Sequence, residues 1–366
     1  MAHVNDYSDG AERRAWALVT IKEVAERAGV SVATVSRVYN HSHRVREETR
    51  LRVRHTAQRL GYSPHGAARS LVTNRTHTIG VLLPDLYGEF FSELIRGIDQ
   101  TAQARGYHLL LSSARSRVDS LEPALRSMRG RVDGLILMTP DLDAAAAGRS
   151  LPAGFPVVLL NGPPSDAACD SFVIANFDGA RSMVRHLASL GHRRIAIICG
   201  AEQNFDAAER LRGYRTALAE LGLDTDPGLE LPGDFSEAAG HDAARRMLER
   251  DLRPSAVFAA NDGMAIGALS AFRDAGLRVP DDIAVAGFDD IPMARYVEPT
   301  LSSVRVDISE LGKNATDRLL DALGEPAPRT LRHHTLPTTL VVRRSCGAPG
   351  GAARSTPFTP LGGTAV

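Results

Sequence analysis

Two sets of residues in this sequence have the types and spacing to do chemistry. The first lies in TIKEVAERAGVSVATVSRVYN at 20–40. If Ala25 and Val35 face inward and Gly29 takes a turn that a Cβ would resist, then Val32, Ala33, Ser36 and Arg37 project from one helix toward a major groove. Arg37 carries a fork of donors matched to a guanine edge, while Val32 and Ala33 offer apolar surface for shape or a thymine methyl. Thr20, Ser31, Thr34 and Asn40 are candidates for phosphate contacts, which fix position without reading sequence. A three-helix bundle with a solvated Arg37 would show the same local pattern, so this segment alone leaves both readings open.

The second set closes a series of short apolar runs: Asp85, Asn161, Asn261, Asp262, Asp289 and Asp290. In open α/β sheets, ligands sit outside the carboxyl ends of the strands, which is where these residues would fall. No G-x-x-x-x-G-K-[ST] or G-x-G-x-x-G follows any run, and no nucleophile pairs with a base. The sequence therefore predicts no enzyme, no catalytic residue and no cofactor. Cys169, Cys199 and Cys346 are far apart without metal-ligand spacing, so they read as buried free thiols in a reducing compartment and no metal site is expected.

The elements that must position these residues follow from periodicity. Thr20 and Glu23 form a capping-box pattern, and Ile21, Val24, Ala25 and Ala28 then fall on one helical face. Ser31 is suited to cap a second helix carrying Val35 and Val38 inward. A third helix is predicted over 47–60, with Leu51, Val53, Ala57 and Leu60 as its apolar members and Gly61 ending it. From Thr78 the pattern becomes strands at 79–85, 107–114, 132–138 and 156–161, separated by helices near 89–105, 119–129 and 141–148. It repeats as strands at 194–200, 256–262 and 283–290, with helices near 178–190, 207–221, 237–250 and 263–275. This alternation predicts two doubly wound α/β halves with parallel sheets.

Charge agrees with a division of labour. The chain of 366 residues has no net charge, yet 18–77 holds eleven Lys/Arg against four Asp/Glu, and 78–366 holds 30 against 36. A basic front on a mildly acidic body is the footprint of a nucleic-acid-binding module attached to a different domain. Residues 1–18 read as a disordered extension, and 347–366, rich in Gly, Pro, Ser and Thr, as a disordered tail. No signal-peptide core and no apolar run of transmembrane length is present, which predicts a soluble cytoplasmic protein with no membrane partner.

VSVATVSRVYN, VREETRLRV and LGYSPHGAARSL, in that order and spacing, resemble the headpiece of the LacI/GalR family of transcriptional regulators, and the likeness spans about 19–346. The resemblance implies a helix-turn-helix domain at 19–62, and a hinge helix and linker at 63–77. An effector-binding, periplasmic-binding-protein-like core would then occupy 78–346. That core divides into one subdomain of about 78–173 plus 303–325 and another of about 174–302 plus 326–346. In the family the hinge segment becomes helical on DNA, and the residue matching Leu71 wedges into the minor groove from each subunit of a dimer. Ala67 and Ala68 match the small residues that let two hinge helices pack, and Arg69 is poised for phosphate. Two departures stand out: His65 follows the hinge proline where the family has Asn, and Arg46 replaces a Ser cap, a loss of ~0.5–2 kcal/mol.

For the core, the resemblance assigns effector contacts residue by residue. Arg210 in ERLRGY matches an effector-binding arginine, Asn261 and Asp289 match residues that bond effector hydroxyls, and Phe235 takes a stacking position. Phe90, Phe91 and Asn161 are further candidates, and Asn204 and Asp206 lie where the family varies with effector. Without the family, Arg210 could lie on the surface, Asn261 and Asp262 could cap the helix beginning at Gly263, with Asp262 the expected cap, Asp289 could hold a turn, and Phe235 could be ordinary core. The resemblance thus implies a homodimeric repressor on double-stranded palindromic operator DNA at the nucleoid, controlled by a small molecule such as a sugar. An activator, or a corepressor-dependent regulator answering a nucleoside or purine-like ligand, is the alternative. The tail lacks the leucine heptads of tetrameric members.

Overall fold

The computed structural model describes residues 19–40, 44–62, 75–114, 118–138, 154–162, 169–223, 225–250, 252–325, 331–347 and 354–357. The chain divides into two units, Met1–Thr76 and His77–Val366.

The first unit is built from α1 (Ile21–Ala28), α2 (Val32–Asn40) and α3 (Glu47–Leu60). The capping box forms: the Glu23 amide donates to Thr20 Oγ1 at 3.3 Å, and the Thr20 amide donates to Glu23 Oε2 at 2.6 Å. Gly29 ends α1 at φ 63°, where an L side chain would be strained. Ser31 Oγ accepts the Thr34 amide at 3.2 Å and so starts α2. Val24, Ala25, Ala28, Val35, Val38, Val53 and Ala57 make the core. Arg52 Nε ties α3 to α1 by donating to the Ala28 carbonyl at 3.1 Å. Leu51, named with Val53, Ala57 and Leu60 as an apolar member of this helix, is 57% exposed. Val53 and Ala57 are four residues apart on one face, and two residues back from Val53 turns a helix about 200° away. Arg46 starts α3 with no side-chain cap, as its type suggested.

The second unit contains two sheets. The first runs β11-β5-β4-β3-β1-β2, all parallel: β1 Thr78–Leu83, β2 His108–Ser113, β3 Gly134–Met138, β4 Val157–Leu160, β5 Asp170–Ile174 and β11 His333–Leu336. Helices α4 (Glu89–Ala104), α5 (Val118–Met128) and α10 (Ile308–Ala322) accompany it. The second runs β13-β12-β10-β9-β8-β6-β7: β6 Ile195–Ile198, β7 Glu230–Leu231, β8 Ala256–Ala259, β9 Ala284–Asp289, β10 Ser302–Arg305, β12 Thr339–Val342 and β13 Arg354–Pro357. It is parallel except that β12 is antiparallel to β10 and β13 to β12. Its helices are α6 (Asn176–Ser189), α7 (Phe205–Glu220), α8 (Glu237–Glu249) and α9 (Asp262–Asp274). Helices α8 and α9 cross where both are glycine: a Cβ on Gly267 would lie 1.9 Å from the Glu237 carbonyl oxygen, and one on Gly240 would lie 2.1 Å from that of Met264.

Three boundaries differ from the sequence reading. Strand β10 pairs with β9, so 303–305 belong to the second sheet and the chain crosses after Arg305. Strand β11 pairs with β5, so 333–336 belong to the first sheet and the return crossing falls just before β12. Within the tail expected to lack order, Arg354–Pro357 adds a strand beside β12, where backbone pairing needs no apolar side chains. The predicted helix near 141–148 and the extension at 1–18 lie outside the described residues. The cysteines are free; Cys346 is buried, while Cys169 and Cys199 are only partly so. Burial pushes the Cys199 thiol up to about 12, which leaves it inert as a nucleophile.

Candidate functional site

Helix α2 presents the expected face. Val32 is 41% exposed, Ala33 and Arg37 are exposed, and Ser36 is half-buried, while Val35 and Val38 point into the three-helix core. Thr20 and Ser31 are exposed, and Thr34 is half-buried. Their hydroxyls already serve caps: Thr20 Oγ1 donates to Glu23 Oε2 at 2.9 Å, and Ser31 Oγ meets Thr34 Oγ1 at 2.9 Å. Asn40 is the last residue of α2; its side chain lies outside the described residues, as do Ala67, Ala68, Arg69 and Leu71.

In the second unit, a cleft of about 600 Å³ opens at the carboxyl ends of the strands of both sheets. Phe90, Phe91, Arg210, Phe235, Asn261 and Asp289 all line it, as do Asn204 and Asp206. Arg210, on α7, is 4% exposed. Its Nε donates to Asn176 Oδ1 at 2.8 Å, its Nη1 to the Ala260 carbonyl at 2.5 Å, and its Nη2 lies 3.2 Å from Asp289 Oδ1. The guanidinium also stacks on Phe288, 3.8 Å from the ring centroid. Asn176 in turn donates to Asp206 Oδ1 at 2.7 Å. The guanidinium is therefore oriented by four contacts before any ligand arrives.

Asp289 ends β9 at φ 105° and is 4% exposed. Although Arg210 approaches its Oδ1 to 3.2 Å, no donor among the described residues meets that atom with hydrogen-bond geometry. Burial pushes the carboxyl up to about 6; Arg210 pulls it down and Asp206 pushes it up, and burial wins. Behind it, Asp262 is fully buried, accepting Ser303 Oγ at 2.6 Å and the Ile291 amide at 2.9 Å. Burial, then Asp289 and Asp290, hold the Asp262 carboxyl well above the usual range. Asp290 points away from the cleft to Arg305 Nε at 2.7 Å and Arg343 Nη2 at 2.6 Å.

Asn261, not Asp262, caps α9. Its Oδ1 accepts the Met264 amide at 3.0 Å and its Nδ2 donates to the Phe235 carbonyl at 2.9 Å. One amide thus aligns both the helix and the loop that carries Phe235. Phe235 itself adopts φ 74°, and its ring covers Gly200, where a Cβ would lie 2.2 Å from Cζ. Asn161 is the exception among the candidates. It follows β4, is 1% exposed with φ 47°, has no hydrogen-bond partner for Oδ1 or Nδ2 among the described residues, and does not line the cleft.

Sequence reasoning missed Asn176, Phe288 and Glu89. Asn176 opens α6 directly after β5, a strand whose half-buried DSFVI pattern was not recognised. Glu89, the first residue of α4, crosses the cleft: its Oε2 accepts the Met293 amide at 2.8 Å, from the segment that follows β9. Among the described residues no helix is long and apolar enough to cross a membrane, and no three His, Cys, Asp or Glu are grouped to hold a metal ion.

A three-helix unit with an exposed second-helix face and a two-walled cleft between α/β halves fit a DNA-binding regulator with a ligand-binding core. Comparison with known proteins gives the same class. Residues 20–65 match the model for bacterial regulatory proteins of the lacI family, and 184–346 match the periplasmic binding protein-like domain. The ribose operon repressor of Escherichia coli (strain K12) is 37% identical over 329 residues, 89% of this chain and 98% of that protein. The lac repressor dimer bound to operator and the anti-inducer ONPF superposes with a TM-score of 0.82 at 33% identity, covering 90% of this chain and 100% of the other. A LacI family regulator from Enterococcus faecium with bound ribose gives 0.66 at 30% identity, over 73% of this chain and 98% of its own. The chain belongs to the LacI family of bacterial regulatory proteins: it is a DNA-binding transcriptional regulator and not an enzyme.

Proposed function

We propose that this regulator is a repressor that binds a palindromic operator as a homodimer in the cytoplasm, at the nucleoid, and that a sugar or sugar derivative in the cleft sets its DNA affinity. The observation that carries the ligand half is the prearranged quartet of Arg210, Asp289, Asn261 and Phe235 on one cleft. An aromatic face covers the apolar side of a sugar ring, and the polar trio pairs its hydroxyls. Ribose in a relative's name and in a solved neighbour supports the same class. On DNA, Arg37 reads one base pair per half-site, with Val32, Ala33 and Ser36 beside it and Thr20, Ser31, Thr34 and Asn40 on the backbone. Ala68, Arg69 and Leu71 act at the operator centre, where two copies of Leu71 must meet.

Coupling requires the ligand to favour one core conformation by ~1–3 kcal/mol. The test is a thermal-shift screen of sugars, sugar acids and nucleosides on the full chain, since a ligand bound to the native state raises Tm. A polyol that raises Tm in the native protein but not in Arg210→Ala supports the reading. A ligand that acts equally on both places its site elsewhere.

A further inference from the structure

The cleft is lined by six carboxylates, Asp85, Glu89, Asp206, Asp234, Glu237 and Asp289, against one basic side chain, Arg210. That guanidinium is already committed to Asp289, Asn176 and the Ala260 carbonyl. Four of the acids form no ion pair with any described basic residue. Among the described residues, the Asp85 carboxylate accepts only the amides of Leu86 and Tyr87, that of Asp234 only the amide and hydroxyl of Ser236, and that of Glu89 only the Met293 amide; the Glu237 carboxylate accepts no hydrogen bond. These four come from both walls, so a ligand entering the cleft meets negative charge on either side. An independent feature points the same way. Asp289 lines the cleft, and the Arg210 guanidinium approaches its Oδ1 to 3.2 Å without an aligned N–H, so this carboxylate keeps acceptor capacity for a ligand O–H or N–H.

We infer that the cleft selects its effector by charge and hydrogen-bond polarity: it takes a donor-rich polyol, neutral or bearing an amine, and rejects phosphorylated or carboxylated ones. This rests on the reading of the cleft as the effector site. A phosphate or carboxylate brings only acceptors at neutral pH, to a lining already rich in acceptors and negative charge. It would have to compete with Asp289 for the one guanidinium of the lining. Hydroxyls and ammonium groups bring donors to Asp289 and to the rim carboxylates. Glu89 has a second consequence, because its Oε2 spans the walls to Met293 and so keeps a negative charge at the mouth when they are close. The repulsion acts through water at the rim and is screened over about 8 Å at physiological salt, so selectivity must weaken as salt rises.

The test titrates the full-length protein by isothermal calorimetry with matched sets: D-ribose against ribose 5-phosphate, and D-glucose and D-glucosamine against glucose 6-phosphate. The expected result is that within a set that binds, the neutral or amino member binds at least tenfold more tightly than the phosphorylated one. Glu89→Gln/Glu237→Gln, which preserves side-chain size and the acceptor for the Met293 amide, should narrow that gap several-fold at low salt and less at high salt. A phosphorylated member that binds as tightly as its neutral partner overturns the inference and leaves the effector site standing. A gap unmoved by the double substitution overturns the role of the rim carboxylates. If no member of either set binds, the polyol reading of the cleft fails first and this inference falls with it.

Discussion

Replacing Arg210 by alanine removes a guanidinium that the structure holds on four sides. Asn176 Oδ1 and the Ala260 carbonyl lose their donors, the Phe288 face loses its cation, and Asp289 is left as a buried carboxylate without its counter-charge. Breaking one side of a buried ion pair costs ~3–5 kcal/mol. At ~2–4 °C per kcal/mol in domains of this order, the core should melt about 6–20 °C lower. The cost should also depend on pH. In the native protein Asp289 titrates at about 6, with Arg210 pulling it down against burial and Asp206. Without Arg210 it must rise further. A folded pKa above the ordinary 3.8 means the folded state holds a proton that the unfolded chain has released, so stability falls as pH rises through the folded value. At pH 5 both proteins carry a largely neutral Asp289 and differ least; at pH 8 the native protein has ionised Asp289 beside Arg210, the variant can do so only without a counter-charge, and the two differ most. Urea or thermal unfolding followed by circular dichroism at pH 5 and pH 8 measures this. An equal cost at both values, or one below about 1 kcal/mol, would refute the placement of Arg210 as the counter-ion of Asp289.

Arg37→Ala should lose ~1–3 kcal/mol of operator binding concentrated at one base pair per half-site; a uniform loss across sequences, seen in a panel of single-base operator variants, would reduce Arg37 to a phosphate contact. Leu71→Ala should weaken specific binding far more than non-specific binding in gel-shift titrations with and without competitor DNA, and equal losses would remove the wedge. Gly200→Ala places a Cβ 2.2 Å from Phe235 Cζ, so the ring must leave its seat. Overpacking of this kind costs ~1–3 kcal/mol, and ligand affinity should fall with Tm; unchanged affinity in a calorimetric titration would exclude Phe235 from the ligand site.

The first unit was the most legible part of the chain because its signals are local. Thr20 with Glu23, Gly29 and Gly61 each satisfy or terminate a helix end within a few residues. The all-buried strands of the two sheets were equally plain: TIGVLL, GLILM and AVFA leave little choice of environment. The misses share a cause. Strands β5, β10 and β11 alternate or are polar, since β11 is a sheet edge and Ser302 and Ser303 of β10 bond to Arg343, Asp290 and Asp262. Their membership is set by partners far along the chain, which periodicity cannot supply. Helix α10 was overlooked although Ile308, Leu311, Ala315, Leu319 and Ala322 trace a buried stripe. At the site, Asp289 was legible as a polar residue closing an apolar run, whereas Arg210 came through resemblance alone. That Asn261 rather than Asp262 caps α9, that Asp262 is instead fully buried under Gly287, and that Glu89 reaches across to Met293 depend on backbone geometry visible only when folded.

Occupancy of the cleft should change how tightly the headpiece holds DNA. Fluorescence anisotropy of a labelled operator fragment, titrated with full-length protein with and without saturating ligand from the screen, measures this. A coupling of ~1–3 kcal/mol predicts a change of about 5–150-fold in operator Kd, absent in Arg210→Ala. An unchanged Kd with the cleft demonstrably filled would contradict the account.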